Sequence, residues 1–160
     1  GKDGETKTLI EEQTGCKLNI TTDGDLNIAG TDGMRMYTTK EIVRAVARGF
    51  NPKIALLLLK TDYALEIIDL KNLVGKSKND LERIKGRVIG KGGKSREELE
   101  KLTDTYISVY GKTVGIIGEL NQVVMARQGL AKLLEGAMHT TVYRFLERKK
   151  KDQLFGQQPV

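Results

Sequence analysis

The spacing of apolar positions changes in a regular order through the second half of the chain. Helical spacing, with acidic residues in the first turns, predicts a helix over Lys94–Thr103. Strict alternation then predicts a strand over Tyr106–Tyr110, a tight turn, and a second strand over Thr113–Ile117. Helical spacing returns in a long helix over Leu120–Glu135. Upstream, the same criteria predict a strand over Tyr63–Asp69 and a helix over Asn79–Ile89.

Part of this order occurs twice along the chain. The opening sequence GKDGETKTLIEEQTGCKLNI aligns with GKGGKSREELEKLTDTYISV 89 residues later, with glycines and apolar positions in register. Leu18, for example, falls on Ile107. After a polar loop the offset becomes 88, so that Gly30 meets Gly118. A shift of one residue within a loop is tolerated, so we predict two copies of one structural unit.

The first copy begins at its glycine-rich segment and holds fewer of these elements. Its pattern predicts a helix over residues 5–13, strands over 17–21 and 26–29, and a helix near 36–48. Pro52 suits the first turn of a short packed connector, and Thr141–Lys151 has the spacing of a C-terminal helix. We therefore predict the α+β class, with domains at residues 1–62 and 63–160 and some sequence missing before Gly1.

Composition argues against several classes of function. Cys16 is the single cysteine, which excludes an internal disulfide and fits a reducing cytoplasm, and we expect it in the core. No apolar run is long enough to span a membrane. His139 is the only histidine, so no cysteine–histidine metal site can form around it, and we expect it on a helix surface. We expect no catalysis, no cofactor, no metal ion and no membrane association.

The net charge of +6 is unevenly distributed along the chain. Residues 1–62 hold 9 Lys/Arg against 9 Asp/Glu, whereas residues 63–160 hold 18 against 12. Within the second half, residues 76–96 alone hold eight basic residues against two acidic ones. A charge run often marks only a solvated face. One that is centred on a glycine-rich segment favours an anion-binding site.

That glycine-rich segment, Gly90–Gly93, separates two predicted helices. Backbone amides at the start of a helix can bind phosphates, and two kinds of protein use this property. A nucleotide-binding P-loop needs a glycine where this chain has Val88, and a strand rather than a helix upstream. The other kind clamps the backbone of a single-stranded nucleic acid between two helices. A plain turn whose glycines only cap helices is the third interpretation.

The segment Val88-Ile89-Gly90-Lys91-Gly92-Gly93 matches the pattern V-I-G-x-x-G. Together with the order of elements around it, this pattern resembles the eukaryotic-type (type I) KH family. The resemblance implies two tandem type I KH domains, each a three-stranded sheet covered by helices. The first domain would lack its opening strand and helix, and a C-terminal helix would follow the second. Aromatic residues make up only 5% of the chain, which favours an aliphatic KH groove over an aromatic stacking platform.

The RNA-binding residues that this resemblance implies surround the second glycine loop. Glycines let a sugar-phosphate backbone approach, basic side chains neutralise phosphates, and aliphatic side chains line the groove for the bases. These residues are Arg87, Ile89, Gly90, Lys91, Gly92, Gly93, Lys94, Arg96 and Ile107. The first loop offers Gly1, Lys2 and Gly4, and we expect weaker binding there because Asp3 places a negative charge beside the phosphate.

The longer stretch RIKGRVIGKGGKSREELEKLTDTYISVYGKTVGIIGE is similar to the archaeal Dim-type dual KH-domain proteins. These are counterparts of the eukaryotic partner-of-Nob ribosome assembly factors. The similarity implies binding of single-stranded RNA near the 3′ end of small-subunit rRNA, in rRNA processing and ribosome biogenesis. It implies two protein partners, the PIN-domain nuclease that matures this end and the alpha subunit of translation initiation factor two. In the alternative, the protein is a scaffold that docks either of these partners.

A second basic run, Arg148–Lys151, lies at the end of the predicted C-terminal helix. Cations at that end complement the helix dipole, so the run either caps the helix or forms a second RNA contact.

Overall fold

The computed structural model describes residues 2–72 and 78–156 of the chain and has a mixed α+β architecture. Its backbone contacts divide it into two compact units, Gly1–Tyr63 and Ala64–Val160. The division lies one residue from the boundary that the sequence predicts.

The first unit consists of helices around a two-stranded antiparallel hairpin. Its helices are α1 (Lys2–Thr14), α2 (Gly33–Ala47) and the short α3 (Pro52–Ala55), and its strands are β1 (Lys17–Ile20) and β2 (Leu26–Ala29). Asp32 starts α2 because its carboxylate accepts a hydrogen bond from the Met34 N–H at 3.0 Å. Apolar side chains from these segments, except β2, and from the connections between them form the buried interior: Ile10, Cys16, Leu18, Ile42, Ala45, Phe50, Ala55 and Leu58.

The second unit places helices on a three-stranded sheet. Its strands are β3 (Tyr63–Asp69), β4 (Tyr106–Tyr110) and β5 (Thr113–Glu119), and its helices are α4 (Lys78–Ile89), α5 (Lys94–Thr103), α6 (Leu120–Leu134) and α7 (His139–Phe155). The strand order is β3-β5-β4, so the last strand in sequence lies at the centre. β4 and β5 are antiparallel, with Tyr106 opposite Ile117.

The core of the second unit lies between the sheet and its helices. Ile107 and Val114 from the sheet pack with Leu99 of α5 and Leu130 of α6. The central strand β5 is buried from Thr113 to Gly118, as expected for a strand with neighbours on both sides. Apolar packing of this kind supplies most of the stability of a small domain.

Helix α7 packs on α5 and α6 and is held by two fully buried side chains, Val142 and Leu146. Gly129 of α6 permits this packing, because a Cβ atom there would lie 2.9 Å from Leu146 Cδ2. α7 is longer than its predicted range, Thr141–Lys151, and ends only at Phe155. None of the helices in the described part of the chain is long and apolar enough to cross a membrane.

The predicted limits of β2, β3, α5 and β4 are confirmed, and β5 extends two residues further than predicted. The prediction for the first glycine loop is wrong over Lys2–Gly4, because these residues form the first turn of α1. Gly4 has an ordinary helical backbone, and a Cβ atom there would meet nothing within 4 Å. Gly1 lies outside the described residues.

The repeat is visible in individual contacts of the two units. In α1, the Glu11 carboxylate accepts a hydrogen bond from the Leu18 N–H at 2.8 Å. In α5, the Glu100 carboxylate accepts one from the Ile107 N–H, also at 2.8 Å. Both pairs are related by the 89-residue offset. Each contact ties a helix to the strand that follows it.

The turns after these two helices are also alike. Gly15 and Asp104, again 89 residues apart, both have positive φ, of 74° and 53°. A Cβ atom on Gly30 would lie 3.0 Å from Cys16 Sγ, and one on Gly118 would lie 2.9 Å from Thr105 Cγ2. Cys16 is therefore a small core residue, as predicted, at the position that threonine occupies in the second unit.

We predict that Glu100→Ala and Glu11→Ala each lower the free energy of unfolding by about 1–3 kcal/mol, because each leaves a strand N–H without its acceptor. Glu97→Ala, on the exposed side of α5, is the matched control and should change stability by less than about 0.5 kcal/mol. Urea unfolding of the three variants measures these differences. A loss for Glu97→Ala as large as that for Glu100→Ala would show that the carboxylate–amide contact has no special role.

Candidate nucleic-acid interface

The second glycine loop joins α4 to α5 through three glycines with positive φ. Gly90 follows the end of α4 with φ 75° and ψ 174°, a region that only glycine populates. Gly92 and Gly93 have φ of 64° and 78° and adopt the left-handed helical conformation. The glycines in this sequence are therefore required by the backbone path, and the V-I-G-x-x-G pattern has a conformational basis.

Gly90 also lies against the start of α5. A Cβ atom at Gly90 would lie 2.6 Å from Ser95 Cβ and 2.7 Å from the Ser95 backbone nitrogen. No side chain fits in that space, so the two helices approach each other backbone to backbone. At Gly92, in contrast, a Cβ atom would meet nothing within 4 Å. The loop is thus tightly packed at its base and open at its tip.

The tip of the loop presents positive charge to the solvent. Gly93 is the residue before α5 and provides no side-chain cap, so no side chain of the loop occupies the first N–H groups of this helix. Lys91 and Lys94 flank these groups, and both side chains are exposed. Within residues 80–156, neither lysine forms an ion pair. The Gly93 N–H donates to the Gly90 carbonyl at 3.2 Å, and the Lys94 N–H donates to the Lys91 carbonyl. The two exposed cations beside glycines without side chains are the feature that suits the binding of phosphate.

The other basic residues near the loop are partly neutralised. On α4, Arg83 lies 3.9 Å from Asp80, and Lys85 lies 3.8 Å from Glu82. Surface pairs at these distances are weak, but they leave fewer unpaired cations on α4 than the number of its basic residues indicates. Lys76 lies outside the described residues.

Arg96 lies beside the loop and is oriented by Glu100. Its Nη1 donates a hydrogen bond to Glu100 Oε1 at 2.7 Å, and its Nη2 lies 4.0 Å from the position that a Cβ atom on Gly93 would occupy. The second oxygen of Glu100 accepts from the Ile107 N–H, so one carboxylate connects the loop, α5 and β4. Glu100 was absent from the predicted site, although the match between Glu11 and Glu100 in the repeat could have revealed it.

Arg87 has a different role from the phosphate contact that the sequence indicates. Its guanidinium donates hydrogen bonds to two backbone carbonyls at the end of α6, Leu133 O at 3.0 Å and Ala137 O at 2.7 Å. Its own carbonyl oxygen is 2.9 Å from His139 Nε2 at the start of α7. Arg87 and His139 thus fix the last turn of α4, three residues before Gly90. His139 is half-buried rather than a surface residue, which corrects that prediction.

The two predicted aliphatic walls of the groove differ in exposure. Ile89, the last residue of α4, is half-buried beside the loop. Ile107 is only 4% exposed and packs in the core. In the sheet it lies opposite Ile116 of β5. The structure therefore places Ile107 beneath the surface, where direct contact with a base would require rearrangement.

The turn between β4 and β5 carries a second concentration of positive charge. The pKa of Lys112 is lowered, first by a side-chain hydrogen bond with Lys71 and then by the repulsion between the two amino groups. The Lys112 side chain is fully exposed. No group of three or more histidine, cysteine or acidic residues that could hold a metal ion occurs in residues 2–72 or 78–156.

Comparison with known proteins gives a consistent result. Residues 64–151 match the family profile of the eukaryotic-type KH domain (KH-domain type I), in its form from the second domain of PNO1. The KH domain-containing protein MJ0443 of Methanocaldococcus jannaschii is 47% identical over 154 residues, which cover 94% of this chain and 67% of that protein. The pre-rRNA-processing protein PNO1 of Chaetomium thermophilum is 34% identical over 110 residues, covering 66% of this chain and 42% of that protein.

A solved structure of similar fold has been described as a complex with RNA. A chain from the complex of a/eIF2alpha, aDim2p and rRNA from Pyrococcus horikoshii superimposes with a TM-score of 0.86 and is 39% identical. The match covers 95% of this chain and 86% of that one. The chain therefore spans most of the matched structure, about two thirds of MJ0443, and less than half of the eukaryotic relative.

We predict that Gly90→Ala and Gly92→Ala differ sharply in stability. Gly90→Ala brings a Cβ atom within 2.6 Å of Ser95 Cβ and strains a glycine-only conformation, so it should cost at least about 3 kcal/mol. Gly92→Ala meets open space and only strains a left-handed residue, at about 1–2 kcal/mol. Denaturant unfolding of the two variants provides the measurement. Equal losses would mean that the approach of α4 to α5 does not require glycine at position 90.

Proposed function

Because the chain belongs to the eukaryotic-type (type I) KH family, we propose that it binds single-stranded RNA through the loop Gly90–Gly93 and acts in small ribosomal subunit biogenesis. The observation that carries this proposal is the open tip of that loop, where two exposed lysines without an ion pair among residues 80–156 flank glycines without side chains. A sugar-phosphate backbone can approach such a surface closely, and a KH loop clamps about four nucleotides.

The proposed ligand is the single-stranded 3′ region of small-subunit rRNA. Two relatives support this choice, one named a pre-rRNA-processing protein and one solved in a complex that contains rRNA. In the proposed arrangement, Lys91 and Lys94 neutralise phosphates and Arg96 adds a third charge from the side. Arg87 acts indirectly, by holding α4 in place under the loop.

In this proposal, both units are KH domains of type I. The repeated carboxylate–amide contacts and the shared turns of the two units support this interpretation. The described part of the first unit begins with α1, which corresponds to α5 in the repeat. The first unit binds RNA more weakly, because Lys2–Gly4 form a turn of α1 instead of a glycine loop, Asp3 opposes phosphate, and residues 1–62 carry no net charge.

The proposed role is binding without catalysis, in the cytoplasm. KH relatives named as RNA-binding and rRNA-processing proteins support a non-enzymatic function. His139, the single histidine, is bonded to a backbone carbonyl and belongs to the scaffold of the fold.

A second candidate function is docking of proteins onto this module. The solved complex of a similar protein contains a/eIF2alpha as well as rRNA, which favours the alpha subunit of the initiation factor as a partner. A PIN-domain nuclease that matures the 3′ end of the rRNA is the other proposed partner, on the basis of the Dim-type resemblance. Both partners are compatible with RNA binding, since the loop occupies only one end of the second unit.

We predict that Lys91→Asp combined with Gly92→Asp abolishes RNA binding without unfolding the protein. Both positions are exposed, and Gly92 has open space around it. The change removes one cation and adds two anions where phosphates would lie, and like charges facing each other cost several kcal/mol. RNA affinity is measured by filter binding, together with a thermal melt.

The matched control is Lys17→Asp combined with Gly24→Asp in the first unit. It makes the same charge change at an exposed lysine and at an exposed glycine with φ 88° and open space. This control should bind RNA nearly as well as the parent. If the loop variant melts normally and still binds RNA like the parent, the loop is not the RNA-binding site and the scaffold function becomes the better explanation.

We also predict that RNA affinity depends steeply on salt. If the second unit neutralises about four phosphates, log K should fall with log salt at a slope of about −3, with roughly 0.7 per phosphate for a single strand. Titrations at several salt concentrations give the slope directly. A slope near zero would contradict an electrostatic contribution from the loop lysines.

A further inference from the structure

The basic run Arg148–Lys151 does not cap the end of α7. The helix continues to Phe155, and its last turn contains no basic residue. The effect of a helix dipole is confined to the terminal turn, so stabilisation of the helix end does not explain the run. The role of these residues therefore depends on the face of α7 on which each of them lies.

Three basic residues of α7 lie on the side opposite its buried face. Val142 and Leu146 are fully buried and define the inner face of the helix. With 3.6 residues per turn, Arg144, Arg148 and Lys151 fall within an arc of about 60° on the outer face. We call these three residues the α7 basic stripe. Together with Thr141 and Glu147, they line a shallow surface depression of about 480 Å³.

The charges of the α7 basic stripe are not used within the second unit. None of its three side chains forms an ion pair or hydrogen bond with the residues that the structure describes. Lys149, by comparison, lies over the Phe145 ring at 5.6 Å and so contributes to packing. Three free cations beside one acidic residue, Glu147, make this depression a net positive surface.

The stripe lies on a helix that begins next to the glycine loop. His139 is the first residue of α7, and its Nε2 atom lies 2.9 Å from the carbonyl oxygen of Arg87. Arg87 belongs to the last turn of α4, three residues before Gly90. Arg144 follows about 7.5 Å further along the α7 axis, at 1.5 Å per residue. From Arg144 to Lys151 the stripe spans about 10 Å, the length of about three stacked nucleotides at 3.4 Å each.

We propose that RNA leaving the glycine loop continues along α7, where the α7 basic stripe binds about three further phosphates. This proposal rests on the proposed function, since it extends the same RNA path. Contacts from arginine and lysine to phosphates position a nucleic acid without reading its bases. The stripe therefore lengthens the RNA footprint and raises affinity, while sequence preference stays with the loop and its groove.

The test compares two single-stranded RNAs, one of about four nucleotides, which fills a KH loop, and one of about twelve, which reaches the stripe. The variant combines Arg144→Gln, Arg148→Gln and Lys151→Gln. We expect its affinity for the longer RNA to fall about tenfold or more, with the salt slope reduced by about 2, at 0.7 for each of three phosphates. Its affinity for the short RNA should equal that of the parent, which also shows that the variant is folded.

A matched pair of single variants locates the effect on one face of the helix. Arg148→Gln removes a stripe charge, whereas Lys150→Gln removes the same charge about 160° away around α7. Only Arg148→Gln should weaken binding of the longer RNA. Equal losses from the two variants would overturn the proposal, because they would indicate a general effect of net charge.

The outcomes separate this proposal from the function on which it rests. If the triple variant binds the longer RNA like the parent while the loop variant loses both RNAs, the stripe proposal fails and the loop function stands. If the parent binds the two RNAs equally, no phosphate beyond the loop is contacted and the stripe proposal fails in the same way. If the parent binds neither RNA, both proposals fall.

Discussion

The contact between Gly90 and Ser95 is the constraint on which the rest of the second unit's surface depends. Because no Cβ atom fits between them, α4 and α5 meet through their backbones. The connecting loop is then forced into conformations with positive φ at Gly90, Gly92 and Gly93, and its tip stays free of side chains at Gly92. The surface that is proposed to bind phosphate thus arises from a packing requirement, and the lysines add charge to a backbone path that the glycines impose.

The parts of the fold that depend on local pattern could be predicted from the sequence. α5 and β4 were predicted to the residue, because a helix ending at Thr103 and an alternating strand from Tyr106 are both specified by their own neighbours. The role of Arg87 could not be predicted, since its acceptors lie 46 and 50 residues further along the chain. In the sequence, a basic residue next to a basic loop is typical of a phosphate contact. Only the tertiary structure distinguishes that role from a structural one, in which the guanidinium bonds to backbone carbonyls.

The candidate site was predicted best where backbone conformation determines residue type. The glycines and Lys91 lie at an exposed loop, as the motif indicates. Ile107 was predicted as a groove wall because it alternates correctly, yet alternation identifies only the inner face of a strand and not the depth of burial there. The prediction of a first glycine loop was wrong because Lys2–Gly4 form the first turn of α1, and a matching glycine spacing does not by itself distinguish a loop from a helical turn.

The shared contacts of Glu11 and Glu100 have a consequence for how the two units can diverge. Each carboxylate bonds to a main-chain N–H, which every non-proline residue retains, so substitutions on the strand leave the contact in place. These two contacts therefore depend on one helix residue in each unit and not on the side chains of the facing strand. The surface side chains of one unit can therefore change while its architecture is kept. Sequence differences between the two units should be greatest at the surfaces that bind ligands.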